Sequence, residues 1–188
     1  ACSILKNKID EVEKQKEATD KELAKIKEIE ESIEAIDPHF FEYNTTYKKH
    51  ILKINVQFKK GSANISDISP SQQLELIQAG RSISAFLKSS SKDVQYLLII
   101  EGQASADDYH VDDFFNNDVL SYQRANSLKK LWAQRNIDFG NKCEVIVSGS
   151  GQHGVMRDAT NEKNQRFLIH IIPKPGIIER IENTIHNN

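Results

Sequence analysis

The fold is decided by residues 97–131, LLIIEGQASADDYHVDDFFNNDVLSYQRANSLKKL. The stretch LLIIEG opens with four apolar residues in a row and ends at Gly102, which predicts a strand covered on both faces. An acidic loop follows it. Beyond the loop, leucines recur at helical spacing, and Asn117 or Asp118 is expected to cap the first turn. The stretch therefore predicts a strand, a loop and a helix in succession.

One arginine in the predicted helix occupies an unusual position. Arg124 falls one turn after Leu120 and one turn before Leu128, close to the apolar face. Because a guanidinium does not lose its charge, it must there meet a carboxylate, a carbonyl or a ligand, or reach water. Two interpretations stay open: a ligand contact, and a structural salt bridge to Glu101 or to an aspartate of the loop.

Two segments of this stretch, EGQAS and NNDVLSYQRANSLKKLW, resemble the OmpA-like (OmpA/MotB C-terminal) peptidoglycan-binding domain family. That family has a strand ending in E-G-H-T-D, a loop, and then N-x-x-L-S-x-x-R-A. The helix positions that match are Asn117, Leu120, Ser121, Arg124 and Ala125. The likeness extends over residues 52–172. It implies an α+β fold of order βαβαββ, in which two helices cover one face of a mixed sheet.

The resemblance also implies a ligand site. In the family, the loop aspartate and the helix arginine hold the two charged ends of the diaminopimelate in the peptide stem. Carried over, this places Arg124 and Asn117 in the site, with Leu120 beside them. The family pattern T-x-E-x-x-x-N-R-R-V is represented by residues 160–167, where Arg166 is the one arginine that remains of the pair. Arg166 is therefore a candidate second partner for the ligand carboxylate.

The acidic loop carries the main departure from the family pattern. Ser105 stands at the aspartate position, where it can accept a hydrogen bond but supplies no charge. Asp107 or Asp108, a few residues further along, is the candidate to restore the carboxylate. A solvated surface turn and a calcium site are the alternatives. Calcium is disfavoured because the loop lacks the alternating oxygen ligands, the central glycine and the terminal glutamate of a calcium loop.

The chain is predicted to have four parts: a helix at 1–37, a linker at 38–51, the OmpA-like domain at 52–174 and a C-terminal helix at 175–188. The linker, which contains HFFEYNTTYKKH, is rich in aromatic residues that we expect to anchor it to the domain. Residues 53–58, KINVQF, alternate in polarity and predict a half-buried strand.

The N-terminal helix carries a heptad pattern. One seam position is occupied by Leu5, Val12, Thr19, Ile26 and Ile33, and the other by Cys2, Ile9, Lys16, Leu23 and Glu30. Despite three polar defects, the recurrence of apolar residues in register predicts a modest coiled coil and a homodimer. The alternative is a single solvated helix.

Composition disfavours several other functions. The 25 basic and 27 acidic side chains give a net charge of −2 and form no basic stripe, so nucleic-acid binding is not expected. The six histidines are scattered without metal-ligand spacing, and Cys143 opens an apolar strand as a small hydrophobe. We therefore predict no catalysis, no metal and no cofactor.

The sequence opens on Ala-Cys-Ser-Ile-Leu, without an initiating methionine and without an apolar run of membrane-spanning length. We expect a processed or truncated product whose membrane anchor preceded it, either a lipid on Cys2 or a transmembrane helix. The predicted function is non-covalent peptidoglycan binding in the periplasm or cell envelope of a bacterium. The alternatives are the periplasmic part of a MotB-like stator subunit of an ion-driven motor, and an OmpA-fold scaffold that no longer binds peptidoglycan.

Overall fold

The computed structural model describes residues 2–90, 94–106 and 116–175. Asp107, Asp108 and the rest of the acidic loop lie outside the described residues, as does the final helix predicted after Pro175. The chain divides into two compact units, Ala1–Glu34 and Ala35–Asn188. Among the helices described, none is both long enough and apolar enough to cross a membrane.

The second unit is an α+β domain with a five-stranded mixed sheet. In chain order, the helices and strands of both units are α1 (Cys2–Glu34), β1 (Phe41–Asn44), β2 (Lys49–Leu52), α2 (Pro70–Ser89), β3 (Val94–Gly102), α3 (Asn117–Gln134), β4 (Cys143–Gly149) and β5 (Phe167–Pro175). Only α1 belongs to the first unit. The strands lie in the order β1-β2-β5-β3-β4, in which β3 and β4 are parallel and the other neighbours antiparallel. The mixed sheet and the alternation of strands and helices confirm the predicted fold class.

Both domain helices pack on the same face of the sheet. The ring of Phe86 in α2 lies 6.1 Å from that of Tyr96 in β3. Gly102, on the same side of β3, faces the main chain of α3 at Ser121. Trp132 of α3 is fully buried and joins the helices, donating from Nε1 to the carbonyl oxygen of Leu76 at 2.8 Å. The core therefore lies between the two helices and one sheet face.

Among the residues that the structure describes, α2 and α3 cover one face only, so the cover predicted for both faces of the LLIIEG strand is not seen there. Along β3, Tyr96, Leu98 and Ile100 are buried, whereas Leu97 and Ile99 are only partly so. The second face keeps its apolar side chains without an opposing helix from α2 or α3. A continuous apolar run therefore did not distinguish two covered faces from one.

The predicted linker is part of the sheet. Its aromatic residues form the hairpin of β1 and β2, in which Phe41 pairs with Leu52 and Tyr43 with His50. The rings of Tyr43 and His50 lie 4.7 Å apart, and Phe41 is buried. The aromatic side chains thus anchor this segment, as expected, but they do so as strands and not as a connector.

The strand predicted at residues 53–58 has the expected burial and not the expected pairing. Ile54, Val56 and Phe58 are buried, and the residues between them are exposed. The ladder hydrogen bonds belong instead to β2, which ends at Leu52. Polarity alternation reports which side chains face the core, and it does not report whether the backbone is paired with a neighbour.

The first unit is the single helix α1, which confirms the predicted long helix. It is 33 residues long and ends at Glu34, before the Asp37-Pro38 pair that was expected to stop it. Several of its apolar side chains, among them Leu5, Ile9, Val12 and Leu23, are more than half exposed. The coiled coil itself stays a prediction.

Candidate functional site

Two paired glycines bring α3 close to the ends of β3 and β4. Gly102 and Gly149 are opposite each other in the parallel ladder. A Cβ on Gly102 would collide with the carbonyl oxygen of Ser121, and one on Gly149 would come within 2.5 Å of Ser121 Oγ. Ser121 is fully buried, accepts a hydrogen bond from the Gly151 amide at 2.9 Å and donates to the Asp118 carbonyl at 2.8 Å. These contacts fix the distance between α3 and the sheet.

The N-cap of α3 is Asn116, and the helix begins at the next residue. The Asn116 side chain accepts the amides of Asp118 and Val119 at 2.9 and 3.2 Å. The predicted caps, Asn117 and Asp118, are therefore wrong by one position or more. Asn117 is instead the first helical residue, buried, with its Nδ2 3.4 Å from Oε1 of Gln152 in the turn after β4.

Arg124 is buried, with only 3% of its surface exposed. Its Nε donates to the carbonyl oxygen of Ser62 at 2.9 Å, and its Cζ lies 4.8 Å from the centre of the Phe58 ring. The turn that presents Ser62 needs Gly61 in a left-handed conformation, with φ of 67°. A carbonyl and an aromatic face together hold the guanidinium in one orientation.

Glu101 is not the partner of Arg124, so that half of the salt-bridge interpretation is wrong. Glu101 lies between Ile100 and Gly102 on β3 and therefore faces away from the helices. Its Oε1 is 3.0 Å from Nζ of Lys49 in β2. The aspartates proposed as the other salt-bridge partners lie outside the described residues.

The remaining predicted site residues differ in where they lie. Leu120 is in the core, where it packs the helix against the sheet. Ser105 is buried just beyond the end of β3, and the next amide, that of Ala106, donates to Oδ1 of Asn161 at 2.6 Å. Asn161 and Asn164 begin and end a short 3₁₀ turn. Asn164 is also buried and accepts the Asp158 amide at 2.8 Å. These hydrogen bonds fix the loops that flank Ser105.

Arg166 belongs to a second cluster at the start of β5. Its Nε donates to Oε1 of Gln103 at 2.9 Å, and its Nη2 to the carbonyl of Met156 at 3.0 Å. Gln103, 1% exposed, donates from Nε2 to the same carbonyl at 2.6 Å. A second guanidinium, that of Arg157, donates to the carbonyls of Ala104 and Gly151 at 2.6 and 3.1 Å.

Sequence reasoning missed Gln103 and Arg157. Gln103 replaces the histidine of the family pattern directly after β3, and that position was the available signal. Arg157 follows the glycine-rich turn GSGQHG, where no spacing pattern marks it. Its role depends on the fold, because the carbonyls that bind it come from the ends of β3 and β4.

The two arginines of this cluster lie in partly buried surroundings of mixed charge. Burial lowers the pKa of Arg157, and the charge of Arg166 lowers it further. Burial also lowers the pKa of Arg166, while Asp158 and Glu42 act in the opposite direction. Both side chains donate to neutral oxygens, so their charges are not cancelled by a directly bonded carboxylate. The hydrogen bonds of both guanidinium groups therefore go to neutral oxygens, while Asp158 and Glu42 supply negative charge near Arg166.

Phe58 links the two arginine clusters. Its ring supports Arg124 on one side and meets the ring of Phe167 at 6.3 Å, edge to face. Its amide donates to Oε1 of Gln165 at 3.0 Å, next to Arg166. The predicted residues Arg124 and Arg166 thus belong to one continuous region, although they have no direct contact among the described interactions.

Cys143, predicted to be a small hydrophobe, is at the opposite end of the sheet. Cys143 pairs with Tyr96, six residues before the Gly102–Gly149 pair, which is about 20 Å along a strand. The thiol is half-buried, and burial raises its pKa, which disfavours the reactive thiolate. Within the described ranges, no three His, Cys, Asp or Glu side chains are arranged to hold a metal ion.

No protein-family model and no curated protein sequence matches this chain. Several solved structures resemble its fold. The periplasmic domain of Helicobacter pylori MotB is 17% identical, with a TM-score of 0.48 over 74% of this chain and 82% of that one. The OmpA-like domain of FopA1 from Francisella tularensis is 18% identical, with a TM-score of 0.44 over 72% and 79%. The cell wall anchor of the T6SS from Pseudomonas aeruginosa is 17% identical, with a TM-score of 0.45 over 70% and 86%.

Proposed function

We propose that this chain binds peptidoglycan non-covalently, through the diaminopimelate of its stem peptides, and anchors a membrane-tethered protein to the bacterial cell wall. The observation that carries the proposal is Arg124, a buried guanidinium oriented by Ser62 and Phe58. A guanidinium in a fixed orientation suits a carboxylate, which it binds through two parallel hydrogen bonds.

The amine end of diaminopimelate requires an acceptor. Ser105 offers a hydroxyl oxygen beside the site but no charge, and Asp107 or Asp108 would supply the carboxylate. Asn117 and the cluster around Arg166 would hold the peptide from the two sides. The observation that favours the alternative, a scaffold that has lost its ligand, is Ser105 itself, because an ammonium group bound by serine alone loses its ion pair.

Substitution of Arg124 tests the proposal. Loss of a charge-assisted pair of about 1.5–3 kcal/mol should weaken binding of purified peptidoglycan by roughly 10- to 100-fold. Arg124→Ala also leaves the Ser62 carbonyl without this donor, so we expect a less stable domain. Binding should therefore be measured by sedimentation well below the melting temperature.

Two further variants separate recognition from folding. Arg124→Lys keeps the charge but not the planar donor pair, and it should bind weakly while folding better than the alanine variant. Arg81→Ala removes an arginine from the exposed side of α2 and should bind as the unmodified chain does. Binding that persists in folded Arg124→Ala would exclude Arg124 from the site. Absence of binding by the unmodified chain would favour the scaffold.

The two units of the chain suit an anchor. One domain with a few charge-assisted contacts binds weakly, but two domains joined by a coiled coil would gain from effective concentration on a polymer with repeated stems. We therefore propose a homodimer through α1, tethered to a membrane by a segment that precedes the chain. A MotB-like stator would use the same parts with an ion-binding transmembrane helix as its anchor.

A further inference from the structure

The sheet is split between β2 and β5. The two strands pair only at His50 with Ile169 and at Ile51 with Leu168. If the register of β2 and β5 continued, Lys53 would lie opposite Arg166, and residues 54–56 would lie opposite residues 163–165. Instead, among these described residues no main-chain hydrogen bond crosses from 53–56 to 163–166. A groove of about 420 Å³ opens between the two segments.

The split is bounded at both ends. The ladder of β2 and β5 closes one end at Ile51 and Leu168. At the other end, the Phe58 amide donates to Oε1 of Gln165, so a side chain replaces the main-chain pairing. The ring of this same Phe58 supports Arg124. Phe58 therefore lies between this end of the split and Arg124, and it connects the groove with the proposed diaminopimelate site.

The groove combines an extended segment, residues 54–56, with positive charge. On its other wall, the amides of Lys163 and Gln165 already donate to the carbonyls of Thr160 and Glu162. The walls of the groove contribute Lys53, Lys163 and Arg166 against one carboxylate, that of Glu42. Lys53 and Lys163 are exposed at its rim. Main-chain groups at an open strand edge bind extended peptides, and the surplus of cations selects peptides that carry carboxylates. The volume lies within the range of sites for small ligands.

We infer that this split binds a neighbouring part of the stem peptide, in extended form, beyond the diaminopimelate held at Arg124. The inference rests on the proposed function and adds to it a second contact region. Main-chain hydrogen bonds to residues 54–56 would supply affinity. Lys53 and Lys163 would pair with peptide carboxylates other than those of diaminopimelate.

Calorimetric titration with two ligands tests this inference. Free diaminopimelate reaches only the Arg124 region, whereas a stem tetrapeptide that contains diaminopimelate also reaches the groove. We expect the unmodified chain to bind the tetrapeptide about tenfold or more tighter than the free amino acid. The double variant Lys53→Glu, Lys163→Glu should lose most of that gain and keep its affinity for free diaminopimelate within about twofold.

A matched control excludes a general effect of charge. Lys129 and Lys130 are exposed on α3, away from the groove, and Lys129→Glu, Lys130→Glu changes the net charge by the same amount. This control should bind both ligands as the unmodified chain does. In the unmodified chain, amide resonances of Asn55 and Gln165 should shift with the tetrapeptide and not with free diaminopimelate.

The outcomes separate the two proposals. If the unmodified chain binds both ligands with equal affinity, or if the groove and control variants behave alike, the groove is not a binding region, and the diaminopimelate site stands. If the unmodified chain binds neither ligand, both the proposed function and this inference are wrong.

Discussion

At the scale of residues, the position of Arg124 depends on contacts that bring α3 close to the sheet. Gly102 and Gly149 have no Cβ, so α3 lies directly on the ends of two strands. Ser121 then joins the helix to the turn after β4 through the Gly151 amide. The serine of the family pattern is thus a positioning residue. The resemblance predicted its presence, and only the structure gives its partner.

Ser121→Ala should lower the free energy of unfolding by about 1–3 kcal/mol. The substitution leaves the buried Gly151 amide without its acceptor, and a buried unsatisfied donor is costly. Urea denaturation followed by circular dichroism measures the change. Ser89→Ala, at the exposed end of α2, is the control and should change stability by less than about 0.5 kcal/mol. Equal stabilities for the two variants would show that the bond to Gly151 contributes nothing.

At the scale of elements, the sequence predicted the helices and strands that local residue patterns determine. The helix α3 follows from its apolar spacing, although its cap is Asn116 and not a predicted residue. The hairpin of β1 and β2 was missed, and its pairing with β5, more than a hundred residues away, has no local signature. The split beside it was unpredictable for the same reason, since alternation in residues 53–58 is compatible with paired and unpaired backbone.

The pairing of β2, β5 and β3 places His170 in a group of charges on the sheet face away from the helices. Burial lowers the pKa of His170 to about 4, and the positive charges of Lys49 and His50 act in the same direction. Its Nε2 lies 3.9 Å from Oε1 of Glu101, which is itself paired with Lys49. The folded domain therefore holds this imidazole neutral at pH values where the unfolded chain protonates it.

This difference predicts a loss of stability in mild acid. Between about pH 6.5 and about pH 4 the unfolded state binds a proton at His170 that the folded state does not, so the free energy of unfolding falls as pH falls. His170→Gln removes this contribution. Relative to that variant, the unmodified chain should lose on the order of 1 kcal/mol between about pH 7 and pH 4.5, with allowance for solvent screening.

Urea denaturation at several pH values measures the loss. The exposed His153 provides the control, and His153→Gln should follow the pH dependence of the unmodified chain. Parallel curves for the unmodified chain and His170→Gln would contradict a lowered pKa at His170.

At the scale of the whole molecule, the proposed contact with the cell wall would gain strength from being repeated. The domain would supply the contacts, and α1 presents exposed apolar side chains along a heptad seam. A partner helix would cover that seam, and a second copy of the same chain fits because the heptad register matches itself. The gain should depend on the target, since only a polymer with repeated stems engages two domains at once.

Ile9→Asp should therefore abolish the dimer and weaken binding to intact peptidoglycan, while binding of a soluble stem tetrapeptide stays unchanged. Ile9 is a seam residue and is 56% exposed in the single chain, so its replacement should not unfold α1. Ile4→Asp makes the same chemical change at a residue that is 61% exposed and lies off the seam, and that variant should stay dimeric. Light scattering reports the mass, and sedimentation with peptidoglycan reports a loss of at least about tenfold for Ile9→Asp alone. An unmodified chain that is monomeric at high concentration, or equal behaviour of the two variants, would show that avidity does not come from α1, and the Arg124 site would then have to bind the wall as a single domain.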